Sequence, residues 1–399
     1  MPPSSVSFTH IVHRPLTATR PGASRPLELS ANGATLWVCN PDADTVTRVD
    51  AATLAKLGEH PVGDQPEALA LASDGRAWVV NHAGSTISVL AADGSLSGLV
   101  SLPHGSRPYG LVFSPEGTRA HVALQALGRI LTLDTTNFAT VVARDLPTDA
   151  DGRRPEPRGL AISHDGARIY ATRFISPDEG GQAYELDATP SAGLALLRTL
   201  ALAPASGPDT SVHARGIPNY LVNAALTPDG GALWLPSKQD NIFRGGLRDG
   251  LPLSHDMTVR AVTSLVDLFT GAPRAPGRID HDNFDRAHAV DFSLLGDLAF
   301  VTLPGNHLVL VLDTATGAEV TELPTGNTPT GVLLDPARGR LFTLDFLGRT
   351  VSGFDVSALL SGTGVSAPPL AAPVSTVAVE PLAPEVLQGK RLFYDAESA

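Results

Sequence analysis

Pro157-Arg158-Gly159-Leu160-Ala161-Ile162-Ser163-His164-Asp165-Gly166 is the stretch that decides the fold. Its proline fixes φ at the start of a strand, where no ladder donor is required. Its short apolar run is bounded by turn residues, which marks a strand rather than a helix. Its Asp-Gly pair supplies the positive φ of a tight hairpin.

The same unit recurs along the chain. It appears as Pro26-Leu27 with Asn32-Gly33, Pro66-Glu67 with Asp74-Gly75, and Pro108-Tyr109-Gly110 with Glu116-Gly117. It continues as Pro218-Asn219-Tyr220 with Asp229-Gly230, Ala287-His288 with Gly296, and Pro329-Thr330-Gly331 with Asp335-Pro336. Most units also hold a Val/Leu-rich strand ending in Asp, as at Asp50, Asp134, Asp187, Asp267, Asp313 and Asp355. Pro26 to Pro66 spans 40 residues and Pro66 to Pro108 spans 42. A period near 40 with four short strands is that of a propeller blade, and each blade needs neighbours to cover its faces. The expected fold is all-β: a seven-bladed β-propeller of four-stranded antiparallel blades over residues 25–360. Residues 1–24 are expected to cap or close the ring. A Pro/Ala-rich linker over 361–387 contains a second closing strand, Val374–Val379, which is preferred over Phe8–Val12.

Composition narrows the function. A net charge of −12 with no basic stripe argues against nucleic-acid binding, and no apolar run approaches the roughly 20 residues of a membrane span. The lone Cys39 excludes an internal disulfide and reads as a buried strand residue. Met1–Ser5 has neither the charged nor the apolar region of a leader peptide. Gly-x-Ser-x-Gly, phosphate-loop, His-Glu-x-x-His and Cys-x-x-Cys-His motifs are all missing.

The period fails where it is most informative. Pro157 to Pro218 spans 61 residues and Pro218 to Ala287 spans 69, so units four and five carry insertions. Loops of that length inside a compact fold are usually functional or disordered. Propeller topology sends them to the face where each first strand begins, together with Glu67, Tyr109, Arg158, Tyr220 and His288. Positions after the second strand, among them Asn40, Asn81, Gln125, Arg173, Ser237 and Asp345, are expected on the same mouth. The expected binding residues are His213, Arg215, Asn219, Tyr220, Lys238, Gln239, Asp240, Asn241, Arg244, Arg173, Asp280 and Asp282. Asp280, His281 and Asp282 have residue types that suit a metal, but a solvated loop explains them better, and no metal is expected. His213 and His288 could act as general bases. If the mouth is catalytic, Glu67, Arg158, His288 and Asp345 are the residues expected to converge there.

Trp37-Val38-Cys39-Asn40 and Trp78-Val79-Val80-Asn81 resemble the strand that names the YVTN family of seven-bladed propellers. Arg215–Leu221, Pro236–Asn241 and Gly389-Lys390-Arg391-Leu392-Phe393-Tyr394-Asp395-Ala396 are similar to bacterial exported proteins. In those, a propeller precedes a di-haem cytochrome c module of the peroxidase and methylamine-utilisation type. The resemblance implies that residues 388–399 open such a module, with haem c bound beyond them and no cofactor in this chain. It further implies a periplasmic or extracellular location. The expected role is then docking of the haem domain, another redox protein or a small molecule on the top face, without catalysis by this chain. The alternatives are a lactonase-like hydrolase and a surface adhesion propeller.

Overall fold

A computed structural model describes residues 22–281, 286 and 288–396. Phe8–Val12 and Asp282 therefore lie outside the described residues. The chain forms seven antiparallel sheets arranged as propeller blades. Blade one contains Leu27–Leu29, Thr35–Asn40, Thr45–Asp50 and Lys56–Pro61. Blades two, three and four open at Pro66, Pro108 and Pro157. In blade five the innermost strand is broken into Ile217–Asn219 and Ala225–Leu226, with Tyr220 at φ 54° in the gap. Blade six opens at Phe292 and blade seven at Pro329.

The recurring sequence features each have a local task. In the Asp-Gly turns Gly75, Gly117 and Gly166 take φ of 85°, 72° and 69°, which only glycine adopts without penalty. The Asp that ends the third strand accepts backbone N–H groups of the following turn, as Asp50 does from Thr53, Asp267 from Thr270 and Asp313 from Thr316, each at 2.8 Å. The residue that ends the second strand ties it to the third. Asn40 donates to Thr45 and Thr47, and Asn81 donates to Thr86 and Ser88, all at 2.9 Å.

The core is divided among the faces between blades. Trp78, Val80 and Ile87 of blade two pack on Leu111, Val122 and Leu131 of blade three. Leu27, Leu36 and Val38 of blade one pack on Leu333, Phe342 and Leu344 of blade seven, which closes the ring. Blade seven takes its fourth strand from Val374–Ser375, paired with Thr350 and Val351.

The axis is the tightest place. A Cβ on Gly110 would lie 2.2 Å from the Arg158 carbonyl oxygen of blade four. One on Gly159 would lie 2.6 Å from the Asn223 Cα of blade five, and one on Gly331 would lie 2.5 Å from Leu27 of blade one. The glycine of the repeat is thus where one inner strand touches the next. Residues 22–25 run along the inner strands at the axis. Gly22–Ala23 pair antiparallel with Ala161–Ile162 and add a fifth, innermost strand to blade four. Arg25, 7% exposed, bridges to Leu69 of blade two, donates to the Phe292 carbonyl, and lies 3.9 Å from Asp291 of blade six. Asp291 also accepts from Asn223 and from the Val332 amide. Five blades therefore meet at one plug.

Two outcomes are expected. Gly159→Ala forces a methyl against backbone that cannot give way and should cost about 2–3 kcal/mol in denaturant unfolding; an unchanged midpoint would contradict the close contact. Asp345 ends the second strand of blade seven, in the place of Asn40 and Asn81, and accepts from Thr343, Thr350 and Ser352. Burial pushes its carboxyl up to about 6 despite those hydrogen bonds. An acid whose folded pKa exceeds its unfolded value of about 3.9 loses stability as pH rises from there through 6. Asp345→Asn should accordingly raise the melting temperature by a few degrees at pH 8 and leave it unchanged near pH 4.

Candidate functional site

The loops that begin the first strands open on one mouth of the ring, and there five blades contribute a continuous run of rings and cations. His82 of blade two meets the Tyr109 ring edge-on at 5.8 Å. Arg158 of blade four lies over Tyr109 of blade three at 4.6 Å and over Phe174 at 3.3 Å. Phe174 meets Tyr220 of blade five at 4.8 Å, and Tyr220 meets His288 at 6.5 Å. The Lys238 ammonium sits 4.2 Å above Tyr220 and 2.9 Å from Asp240. The positive φ of Tyr220, uncommon for a bulky residue, breaks the inner strand where its ring joins this run.

Polar groups of the mouth are unevenly satisfied. Arg158 Nε donates to Gln125 Oε1 at 3.0 Å, and Gln125 donates to Glu156 at 2.8 Å. Among the described residues no carboxylate lies within 4 Å of the Arg158 guanidinium. Glu67 accepts from the Gln65 amide at 2.8 Å and faces Arg158, Tyr109 and Asp42. Desolvation raises its carboxyl to about 7, with Arg158 opposing the rise. His288 is held neutral, with its pKa pushed down to about 4 by burial and then by Lys238 and Arg158. Its Nε2 is buried without a hydrogen-bond partner. His82 is likewise lowered to about 4, first by burial.

The C-terminal helix, Pro384–Tyr394, lies on the rim of this mouth. Lys390 pairs with Asp42 of blade one at 2.7 Å, and Arg391 donates to the Leu347 carbonyl of blade seven at 2.9 Å. The Ala396 amide donates to the Gly305 carbonyl of blade six at 3.0 Å. Tyr394, 43% exposed, comes within electrostatic range of Glu67, Arg158 and Asp42. No residue of the helix is buried.

Of the residues expected to be catalytic, Glu67, Arg158 and His288 share the mouth. Asp345 instead turns into blade seven, as described above. Arg173 is also turned inward: it is 3% exposed, pairs with Asp149 at 2.7 Å and donates to the Ile175 carbonyl. Asn40 and Asn81 serve the blade interior in the same way, and of these second-strand positions Gln125 reaches the mouth.

Residues of the insertions separate into two groups. Tyr220 and Lys238 belong to the mouth, with Asn219 bonded to Asp240 at 2.8 Å beside them. Arg215, Asn241 and Arg244 converge instead on Asp209, at 2.9, 3.1 and 3.0 Å. These partners hold the Asp209 carboxyl well below the usual carboxylate range, the Arg215 hydrogen bond first among them. The cluster pins the 203–216 segment to the 241–258 loop, and those loops expose Val212, Leu247 and Leu253. His213 bonds the Pro208 carbonyl of its own hairpin, and Gln239 bonds the Ala214 carbonyl.

The two metal candidates among the described residues turn to different partners. Asp280 pairs with Arg260 at 2.7 Å, and His281, 3% exposed, bonds Thr263. No metal-holding group of His, Cys, Asp and Glu occurs among the described residues. Phe174, Asp42 and Tyr394 were missed as mouth residues. The first two carry no spacing signal, and Tyr394 reads as part of a following domain.

No protein-family model matches the chain, and no curated protein sequence matches it. Solved structures do share its fold. Kuenenia stuttgartiensis hydrazine synthase superposes with a TM-score of 0.67 at 18% identity, over 89% of this chain and 99% of that one. A candidate 6-phosphogluconolactonase of Bacteroides fragilis gives 0.60 at 16%, over 90% and 95%. The dihydro-haem d1 dehydrogenase NirN gives 0.53 at 14%, over 88% and 76%. At such identities the likeness is one of fold: the chain is a seven-bladed β-propeller, and no helix among its described residues is long and apolar enough to cross a membrane.

Proposed function

We propose that this chain is the binding and docking propeller of an exported, periplasmic or extracellular haem c protein, and that the mouth is its working face. One observation carries the reading. The segment that resembles the opening of a di-haem module, Gly389–Ala396, is held on the rim of the mouth by contacts to blades one, six and seven. A module following that segment would start at the site. The exposed Val212, Leu247 and Leu253 on the 203–216 and 241–258 loops offer apolar docking area. Two of the similar propellers belong to proteins named for hydrazine synthesis and haem d1 chemistry, which suits a redox setting without specifying one. The test is the reading frame beyond Ala399, together with the protein expressed from it. A Cys-x-x-Cys-His motif and a covalent haem spectrum are expected; a frame without the motif would remove the reading.

A second reading is favoured by the meeting of Glu67, Arg158 and His288. A carboxyl near 7 is suited to proton transfer at neutral pH. If the mouth hydrolyses lactones or esters with Glu67 as base, turnover should rise with pH through about 7 and fall at least a hundredfold in Glu67→Gln. A screen of lactones and esters showing no turnover would set this reading aside.

A further inference from the structure

We infer that the mouth is a binding site for a small aromatic carboxylate, held by Arg158 between the Tyr109, Phe174 and Tyr220 rings and covered by the C-terminal helix. The inference rests on the mouth being the working face and adds the chemical class of its ligand.

Arg158 has no carboxylate within 4 Å among the described residues, and Glu67, the carboxyl that faces it, is driven toward its neutral form by burial. Arg158 is half-buried, stacked between two rings, and bonded through Nε to a neutral amide. Lys238, the other cation here, already has Asp240 at 2.9 Å. A guanidinium presents paired N–H donors in a plane, the geometry a carboxylate accepts. The ring run extends from it through Phe174 to Tyr220, with centroids 4.8 Å apart, so a planar group joined to that carboxylate finds offset and edge-on partners. Beyond Tyr220 the partnerless Nε2 of His288 can bond a polar substituent on the ligand's ring. A lone inorganic anion would use the cation and leave the rings and His288 idle. An apolar aromatic would leave Arg158 unpaired.

The helix behaves as a cover and not as core. Its attachments include the Lys390–Asp42 ion pair, the Lys390 ammonium over the Phe346 ring, hydrogen bonds to the Leu347 and Gly305 carbonyls and the approach of Tyr394, and none of its own residues is buried. With Leu392 and Phe393 already exposed, the helix gives up little packing of its own side chains when it lifts. Tyr394 would have to move aside as a ligand enters over Glu67 and Arg158.

Glu67 makes the site pH-sensitive. The groups facing it are Arg158, Asp42, Gln65, Tyr109, Tyr394 and the buried Cys39 thiol, with Lys390 beyond on Asp42. An arriving carboxylate repels the ionised form of Glu67, so binding takes up a proton there. Affinity should rise as pH falls from 8 to 6.

Calorimetric titration of the full chain with benzoate, 4-hydroxybenzoate and phenylacetate tests this, with acetate and phenol as controls. The aromatic acids are expected to bind at least tenfold more tightly than either control. Arg158→Gln should weaken them at least tenfold, and Tyr394→Ala should speed association at least threefold. Glu67→Gln, which keeps shape and folding contacts, should flatten the pH dependence. Should Arg158→Gln fail to fold, the pH profile of wild type against Glu67→Gln decides. No aromatic acid binding at millimolar concentration, equal binding of acetate, or identical pH profiles would overturn the inference. If the aromatic acids fail while the haem motif is present in the frame, this ligand class falls and the docking role stands.

Discussion

Seven inner strands share one axis, and there is room for them only where side chains are missing. Gly110, Gly159 and Gly331 each stand against the next blade at distances a methyl group cannot occupy. This contact sets the radius of the ring, and the other features follow from it. A narrow channel can be plugged by a two-residue strand and a single arginine. The Arg25–Asp291 contact then joins blades two, four, five, six and seven through Leu69, Leu160, Asn223, Phe292 and Val332. A buried ion pair is weak evidence of net stability, but loss of either partner is costly because the other charge is stranded. The plug therefore serves register around the axis as much as strength.

A plugged axis moves function to the rim. The mouth is built where first strands begin, and their second residues, Glu67, Tyr109 and Arg158, stand around it. Burial has opposite effects on the two kinds of titratable group there: it raises the carboxyl of Glu67 and lowers the imidazoles of His82 and His288. Near neutral pH this leaves Arg158 in an aromatic setting opposite a carboxyl that is only partly ionised. The insertions of blades four and five contribute Tyr220 and Lys238 to the mouth, and spend Arg215, Asn241 and Arg244 on fixing their own shape through Asp209.

Much of this could be read from sequence because repeats report local rules. The Asp-Gly turns, the third-strand Asp and the opening proline are each required by a hairpin or a strand end, so blade number and strand order were legible. Val374–Ser375, at the start of the segment 374–379, pairs with Thr350 and Val351 of blade seven. Glu67, Arg158, Tyr220 and His288 were legible as mouth residues because topology alone brings first-strand openings together.

Side-chain direction was not legible. Asn40, Asn81, Arg173 and Asp345 stand near the mouth in sequence terms, yet the third-strand hydroxyls and Asp149 draw them into the blades. Asp280 ends its strand and His281 lies just beyond it, and the two bond different partners, Arg260 and Thr263. The use of Gly22–Arg25 as an axial plug and of Pro384–Tyr394 as a cover depends on contacts with residues up to about 350 positions away. By itself the sequence determined the blades, their number and their order, since those rest on short-range turn and strand chemistry. The tertiary structure decided which polar groups face the mouth, which are consumed inside the blades, and what fills the axis, since those depend on partners that only ring closure brings together.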